Sequence, residues 1–237
     1  MRASIDIRVD LGDGDRPLTL AALGIIAGVL LSGPLGLIPT LIEPQPAWTG
    51  TASFIEHFRP WHEVPFWFGF VLIAGWVGLN ARLAAIAPEG LRTRGFIGLV
   101  ATAVFATMIA TNYMLQIAFV PVAVGANDPV LAYFTLSNPT AAGWMIEMFG
   151  YGALGIASWV TAEIFPGSSN RRRWIVWLMI AQGAVSVLGA IATVVDVRWV
   201  LTWPGLGAYV GWNLLVIVIA VLIALEYRPR RPLGRLP

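Results

Sequence analysis

The sequence consists of long apolar runs separated by short polar clusters, and this pattern constrains the fold more than any other feature. Of the 237 residues, 57% are hydrophobic and 12% are charged, whereas a typical soluble domain has about 25% charged residues. A run of about 20 apolar residues matches the thickness of a bilayer. Because the backbone inside a bilayer must satisfy its own hydrogen bonds, the runs are expected to be helices. The sequence therefore predicts an all-α, polytopic membrane protein.

Six apolar runs are predicted to be transmembrane helices. They cover residues 18–42, 65–87, 95–124, 141–165, 174–195 and 205–225. Pro34 and Pro39 predict a kink or break near the end of the first run. The predicted segments are a polar N-terminal tail (1–17), a six-helix domain (18–226) with an outer interfacial loop (43–64), and an arginine-rich C-terminal tail (227–237).

Arginine is unevenly distributed among the segments that connect these runs. The two tails hold Arg2, Arg8, Arg16, Arg228, Arg230, Arg231 and Arg235. The second connection is flanked by Arg82, Arg92 and Arg94, and the fourth holds Arg171, Arg172 and Arg173. The alternate connections hold only Arg59 and Arg198. Because loops rich in Lys and Arg stay in the cytoplasm, the bias predicts cytoplasmic termini and location in the inner (plasma) membrane. The alanine-, glycine- and arginine-rich composition suggests a bacterial genome rich in G and C.

The chain contains no cysteine and no lysine, which excludes several kinds of chemistry. Without cysteine there is no disulfide, thiolate metal site or dithiol redox centre. Without lysine there is no Schiff base to retinal or pyridoxal phosphate. No basic stripe with interleaved aromatic residues points to nucleic acid. We predict no cofactor and no nucleic-acid partner; the predicted partners are the lipid bilayer, a lipophilic small molecule and other membrane subunits.

Glu147 lies inside the apolar stretch WMIEMFGYG, residues 144–152. A lone charge in the hydrocarbon region costs about 3 kcal/mol or more. If the fourth run enters from the outer side, the helical rise places Glu147 about 9 Å below the outer boundary. Asn112 and Gln116 share a face of the third helix at a similar depth, and Tyr151 shares a face with Glu147, because both pairs are four residues apart. The other predicted ligand-binding residues in or beside this layer are Tyr113, Asn213, Asp196 and Arg198.

This polar layer has three interpretations. In the first, a protonated Glu147 acts as an acid or hydrogen-bond donor in an outward-facing pocket that binds or transforms a lipophilic small molecule. In the second, the polar groups form an interhelical hydrogen-bond knot in an accessory or structural subunit. The third is a proton-coupled transporter with Glu147 as carrier, although no second acid lies in the inner half of a span.

The first outer connection contains both histidines of the chain, in the segment EHFRPWHE, residues 56–63. Glu56, His57, His62 and Glu63 are side chains of the types that bind divalent metals. The two histidines are five residues apart with a proline between them, which is not the helical i, i+4 metal motif. We therefore predict no metal site and favour an interfacial lid, with His62 and Glu63 counted among the ligand-binding residues. A catalytic or pH-sensing histidine is the alternative.

Gly207 and Gly211 form a GxxxG pattern in the sixth run. Small residues at this spacing permit close approach of two transmembrane helices. We predict that both glycines contact another helix of the same chain rather than a second copy.

Overall fold

The part of the chain that the structure describes is helical. The computed structural model describes residues 14–36 and 38–229, and within these ranges it contains helices and no β-strand. The all-α prediction is therefore confirmed. The predictions for residues 1–13 of the N-terminal tail, with Arg2 and Arg8, and for Arg230, Arg231 and Arg235 of the C-terminal tail lie outside the described residues.

Long helices form the body of the described chain and short helices lie in the connections. The long helices are α1 (Arg16–Ser32), α4 (Val64–Ile86), α5 (Arg92–Met114), α8 (Ala142–Thr161), α9 (Asn170–Val195) and α10 (Trp203–Tyr227). The short ones are α2 (Ile38–Ile42), α3 (Thr51–His57), α6 (Val120–Gly125) and α7 (Leu131–Phe134). Single 3₁₀ segments lie at Pro60–Glu63, Glu89–Leu91, Ala162–Ile164 and Val197–Leu201. A π-helical segment, Leu115–Phe119, joins α5 to α6. The first long helix ends at Ser32, two residues before Pro34.

The six long helices of the described chain form a closed ring in chain order. Each packs against the next, and α10 packs back against α1. Neighbouring helices run antiparallel, as contacts at one end of the ring show. Asp15 before α1 pairs with Arg82 near the end of α4 at 2.9 Å, and its backbone N–H donates to the carbonyl of Tyr227 at 2.8 Å. Arg94 at the start of α5 pairs with Glu163 after α8.

Both ends of the described chain therefore lie at the same end of the ring, which we call the arginine-rich end. The opposite end is formed by residues 33–36, 38–63, 115–141 and 196–202, and we call it the arginine-poor end. Arg59 and Arg198 are its arginines. The arrangement places the two histidines and the start of α8 at the same arginine-poor end.

Large apolar side chains fill the interior of the ring. Trp76, Phe105, Leu154, Met179 and Ile219 come from five different helices and are at most 1% exposed. Because the interior is packed, a polar side chain within it must find its hydrogen-bond partner on a neighbouring helix or on its own backbone.

In the part of the chain that the structure describes, four helical segments are long and apolar enough to cross a membrane. They are Pro60–Ile86, Glu89–Gly125, Asn170–Val195 and Trp203–Tyr227. Their outward faces are apolar, with Phe96, Leu188 and Val210 more than half exposed, as expected of side chains that contact lipid. Helix α1 has 17 residues, and α8, which contains Glu147, is not among these segments. The four apolar segments support a helical membrane protein. The six spans stay a prediction.

Gly28 has surroundings opposite to those of Gly207 and Gly211. In α1 and α4 the backbones touch, so that a Cβ atom at Gly28 would overlap the backbone of Leu72. At Gly207 and Gly211 no atom of the described residues lies within 4 Å of the position a Cβ would take. The prediction that these two glycines contact another helix of the chain is wrong, because their face of α10 is turned away from the ring.

A second apolar cluster covers the arginine-poor end. Phe54 of α3 packs with Val120 of α6 and Leu131 of α7. Trp48 and Phe58 extend the cluster, with ring centroids 5.9 and 5.7 Å from that of Phe54. The cluster fastens the connection 43–63 onto the end of the ring.

Candidate functional site

Asn112 and Glu147 join α5 to α8 near the arginine-poor end. The Nδ2 atom of Asn112 donates to Oε2 of Glu147 at 2.8 Å. Asn112 is fully buried and its Oδ1 atom has no hydrogen-bond partner among the described residues. Within those residues no arginine or histidine nitrogen lies within 4 Å of the Glu147 carboxyl. The amide of Asn112 is therefore the polar partner of a carboxyl group without a counter-ion.

Tyr113 and Tyr151 form a second link between the same two helices, one residue further along α5 and one turn further along α8. Their hydroxyl oxygens are 3.3 Å apart. The Tyr151 ring packs edge-on against Trp212 of α10, with centroids 4.8 Å apart. The two tyrosine hydroxyls thus add a second polar contact between α5 and α8, and the Tyr151 ring extends it to α10.

Gln116 lies in the π-helical segment and anchors the loop after α7. Its Nε2 atom donates to the carbonyl of Phe134 at 2.9 Å, and its Oε1 atom accepts from the backbone N–H of Leu136 at 3.3 Å. Both polar atoms of the amide therefore form hydrogen bonds with backbone groups. Gln116 and Asn112 are both buried, but they have different partners: Gln116 holds a loop, and Asn112 holds α8.

A cavity of about 170 Å³ lies beside Gln116, beneath the connection 43–63. It is lined by Gln45, Phe54, Phe58, His62, Glu63, Phe66, Gln116, Val120, Thr135, Leu136 and Ser137. Three of these residues carry a buried polar atom without a partner among the described residues, namely Gln45 Nε2, His62 Nδ1 and Glu63 Oε1. Native proteins pair almost all buried polar atoms. Three unpaired atoms around one small cavity therefore single it out.

The tautomer of a neutral His62 ring follows from its hydrogen bond to Glu43. Its Nε2 atom lies 2.9 Å from the carbonyl oxygen of Glu43, and a carbonyl oxygen can only accept. The proton of the neutral ring is therefore on Nε2, which leaves a lone pair on the buried Nδ1. His62 thus offers an acceptor beside the cavity.

The rest of the histidine segment holds the connection in place. Arg59 pairs with Glu43 at 2.9 Å, His57 bonds to the carbonyl of Ser53 at 2.9 Å, and Glu56 is exposed. In the described residues no group of three or more His, Asp or Glu side chains could hold a metal ion. His57 and His62 form hydrogen bonds with different carbonyl groups, those of Ser53 and Glu43, and their rings do not share a binding site.

Three of the predicted ligand-binding residues make local contacts instead. Asn213 donates to the carbonyl of Tyr209, one turn back on its own helix, at 2.8 Å. Asp196 and Arg198 are exposed and pair with each other at 2.9 Å. The hydrogen bonds from the Arg198 side chain and backbone lower the pKa of the Asp196 carboxyl. None of the three lines the cavity.

Sequence reasoning missed three polar residues that line the cavity, Gln45, Thr135 and Ser137. The Ser137 hydroxyl donates to Oε1 of Gln45 at 2.9 Å, which joins two loops 92 residues apart in sequence. Ser137 precedes Asn138 and Pro139, a pattern that favours a turn rather than a binding site. The sequence did contain one indication of Gln45 as a site residue: it is a polar residue flanked by prolines, in the stretch PQP, before the histidine segment.

Comparisons of the chain with known protein families, with curated proteins and with solved structures found no match.

Proposed function

We propose that this chain is a six-span protein of the inner (plasma) membrane that binds or transforms a lipophilic small molecule at its outer side. Both termini are cytoplasmic in this proposal. The arginine bias supports the orientation. The ring supports the number of spans, because six antiparallel helices bring both ends of the chain to one side, and that side is the arginine-rich one.

The cavity beneath the connection 43–63 is the proposed binding site, and its three unpaired polar atoms carry the proposal. A buried polar atom without a partner costs about 1–3 kcal/mol. A ligand that pairs with Gln45, His62 and Glu63 recovers this cost, and the apolar walls contact its hydrocarbon part. This combination of a mostly apolar pocket with a few placed polar groups is typical of small-molecule sites.

Glu147 is the second polar element of the proposed site. Asn112 lies one helical turn from Gln116, which lines the cavity, so the carboxyl bound to Asn112 is about 6 Å further along the helix by its rise. A protonated Glu147 can donate a hydrogen bond to the unpaired Oδ1 of Asn112 after rotation of that amide. In the proposal it acts as an acid or hydrogen-bond donor to the part of a ligand that reaches this depth.

The test is to purify the protein in a mild detergent and measure bound small molecules by native mass spectrometry. The informative variant is Leu136→Trp, which fills the cavity from a loop residue. We expect the wild type to carry a bound species that Leu136→Trp lacks. Glu147→Gln should fold normally and retain less of it. Leu206→Trp, on the exposed face of α10, is the matched control. Equal retention by wild type and Leu136→Trp would contradict the proposal.

An accessory or structural subunit is the second candidate function. The observation that favours it is Gln116, whose amide is fully used in fastening the loop 134–136 to the π-helical segment. In that case Leu136→Trp and Glu147→Gln change the stability of the protein, and neither changes the amount of any bound small molecule. A proton-coupled transporter, with Glu147 as carrier, is the third candidate. It requires a proton flux in liposomes that Glu147→Gln abolishes.

A further inference from the structure

Among the described residues, those that line the cavity carry one acidic side chain and no arginine. Glu63 is that acid, and it is 93% buried, with 7% of its surface exposed. The nearest arginine in sequence, Arg59, is used elsewhere: it pairs with Glu43 and donates to the carbonyls of Glu56 and Phe58. A carboxylate, phosphate or sulfate in the cavity would face Glu63 without any counter-charge. Anionic ligands are therefore disfavoured.

The unpaired atoms of the cavity residues are mainly acceptors. An ionised Glu63 accepts at Oε1, and a neutral His62 ring with its proton on Nε2 accepts at Nδ1. The Gln45 amide can present either atom, because rotating it by 180° lets Nε2 donate to the Ser137 hydroxyl, which now donates to Oε1. The cavity thus fits a ligand with two or three N–H or O–H donors.

Three phenylalanine side chains, Phe54, Phe58 and Phe66, line the same cavity. The faces of aromatic rings attract cations, more strongly when both are shielded from water. The cavity volume is about 170 Å³, and an engineered cavity of about 150 Å³ in another protein holds benzene. The space therefore accommodates a molecule of roughly six heavy atoms.

We propose that the cavity binds a small organic ammonium ion, with the ammonium N–H groups on Glu63 and His62 and the hydrocarbon part against the phenylalanine rings. This inference rests on the proposed function, since it names the ligand class for the same cavity. A metal ion is a poorer occupant, because the described residues offer no group of three or more His, Asp or Glu ligands. A neutral alcohol of the same shape donates a single hydrogen bond and gains neither the ion pair nor the cation–π contact.

The experiment is calorimetric titration of the protein in detergent at neutral pH with three four-carbon probes, n-butylammonium chloride, n-butanol and sodium butyrate. We expect n-butylammonium to bind most tightly and butyrate not to bind. Truncating one partner of a buried charge pair costs about 2 kcal/mol or more. Glu63→Gln should therefore weaken the binding of n-butylammonium by about 30-fold or more. Glu56→Gln, an exposed glutamate of the same connection, should bind as the wild type does.

The outcomes separate the two proposals. Binding of n-butanol as tight as that of n-butylammonium, abolished by Leu136→Trp, would leave the cavity as a binding site and refute the ammonium assignment. Butyrate binding at least as tight as n-butylammonium binding would refute it as well. If none of the probes binds and the wild type carries no species that Leu136→Trp lacks, both proposals fail. The comparison of the three probes on the wild type does not depend on whether Glu63→Gln folds.

Discussion

The side-chain amide of Asn112 donates to Oε2 of Glu147 at 2.8 Å, while the other atom of the same amide, Oδ1, is buried without a partner. The single hydrogen bond links α5 to α8 at a point where both helices face the packed interior. This hydrogen bond contributes to stability when Glu147 is protonated, because no cation of the described residues compensates a charge on the carboxyl group.

We expect Glu147→Leu to lower the free energy of unfolding by about 1–3 kcal/mol, because it leaves both polar atoms of the Asn112 amide unpaired. Glu147→Gln, which keeps a neutral hydrogen-bonding group of the same size, should cost about 1 kcal/mol or less. The double variant Asn112→Leu/Glu147→Leu should lose less than the sum of the two single variants, by about 0.6–1.7 kcal/mol. Denaturant unfolding in detergent micelles measures the wild type and the four variants, which include Asn112→Leu alone. Strictly additive losses would mean that the hydrogen bond contributes no stability.

Gln116 and Asn213 are both predicted ligand-binding amides, and the structure gives them different partners. Gln116 pairs with the backbone of Phe134 and Leu136, whereas Asn213 pairs with a carbonyl of its own helix. Gln116→Leu leaves a backbone donor and a backbone acceptor unpaired, so we expect a loss of about 1–3 kcal/mol. Asn213→Leu should stay within about 0.5 kcal/mol of the wild type. Thermal unfolding of the two variants checks the difference, and a larger loss for Asn213→Leu would contradict this assignment of partners.

The helices were predictable because hydropathy alone determines where a chain can enter a bilayer. The fifth run was predicted at 174–195, and α9 covers Asn170–Val195. The proximity of Asn112 and Glu147 was also within reach, because helical rise and chain direction place both at one depth. The depth of a residue along a transmembrane helix follows directly from its residue number and the helical rise.

The cavity was not predictable, because its walls come from loops whose meeting is decided by packing. Gln45 and Ser137 meet across 92 residues only because the cluster around Phe54 fastens the connection 43–63 to α6 and α7. Asn213 shows the same limit. Depth placed this residue in the polar layer, but helix rotation, which depends on contacts with neighbours, turns its amide to its own backbone.

The pair of Asp196 and Arg198 should affect stability only through its own charges. The lowered pKa of Asp196, whose ordinary value is 3.8, means that the folded state favours the ionised carboxyl. The contribution is therefore present above pH 3.8 and is lost as the pH falls through the folded pKa. We expect Asp196→Asn to lower the thermal midpoint by a small amount that is constant from about pH 5 to pH 8 and that shrinks below about pH 4. A difference that grows on acidification would contradict this, and binding of n-butylammonium should be unaffected.

The contact between α1 and α4 predicts that two chemically identical substitutions have opposite effects. Gly28 lies against the backbone of Leu72, so Gly28→Ala must push the two helices apart, at a cost of about 1–3 kcal/mol typical of overpacking. Gly207 faces open space on α10, where alanine meets no atom of the described chain and improves helix propensity by about 0.5–1 kcal/mol. Thermal unfolding in detergent should therefore show a lowered midpoint for Gly28→Ala and an unchanged or raised one for Gly207→Ala. A loss at Gly207→Ala that depends on protein concentration would instead show that a second copy packs against this face, because only an intermolecular contact responds to dilution.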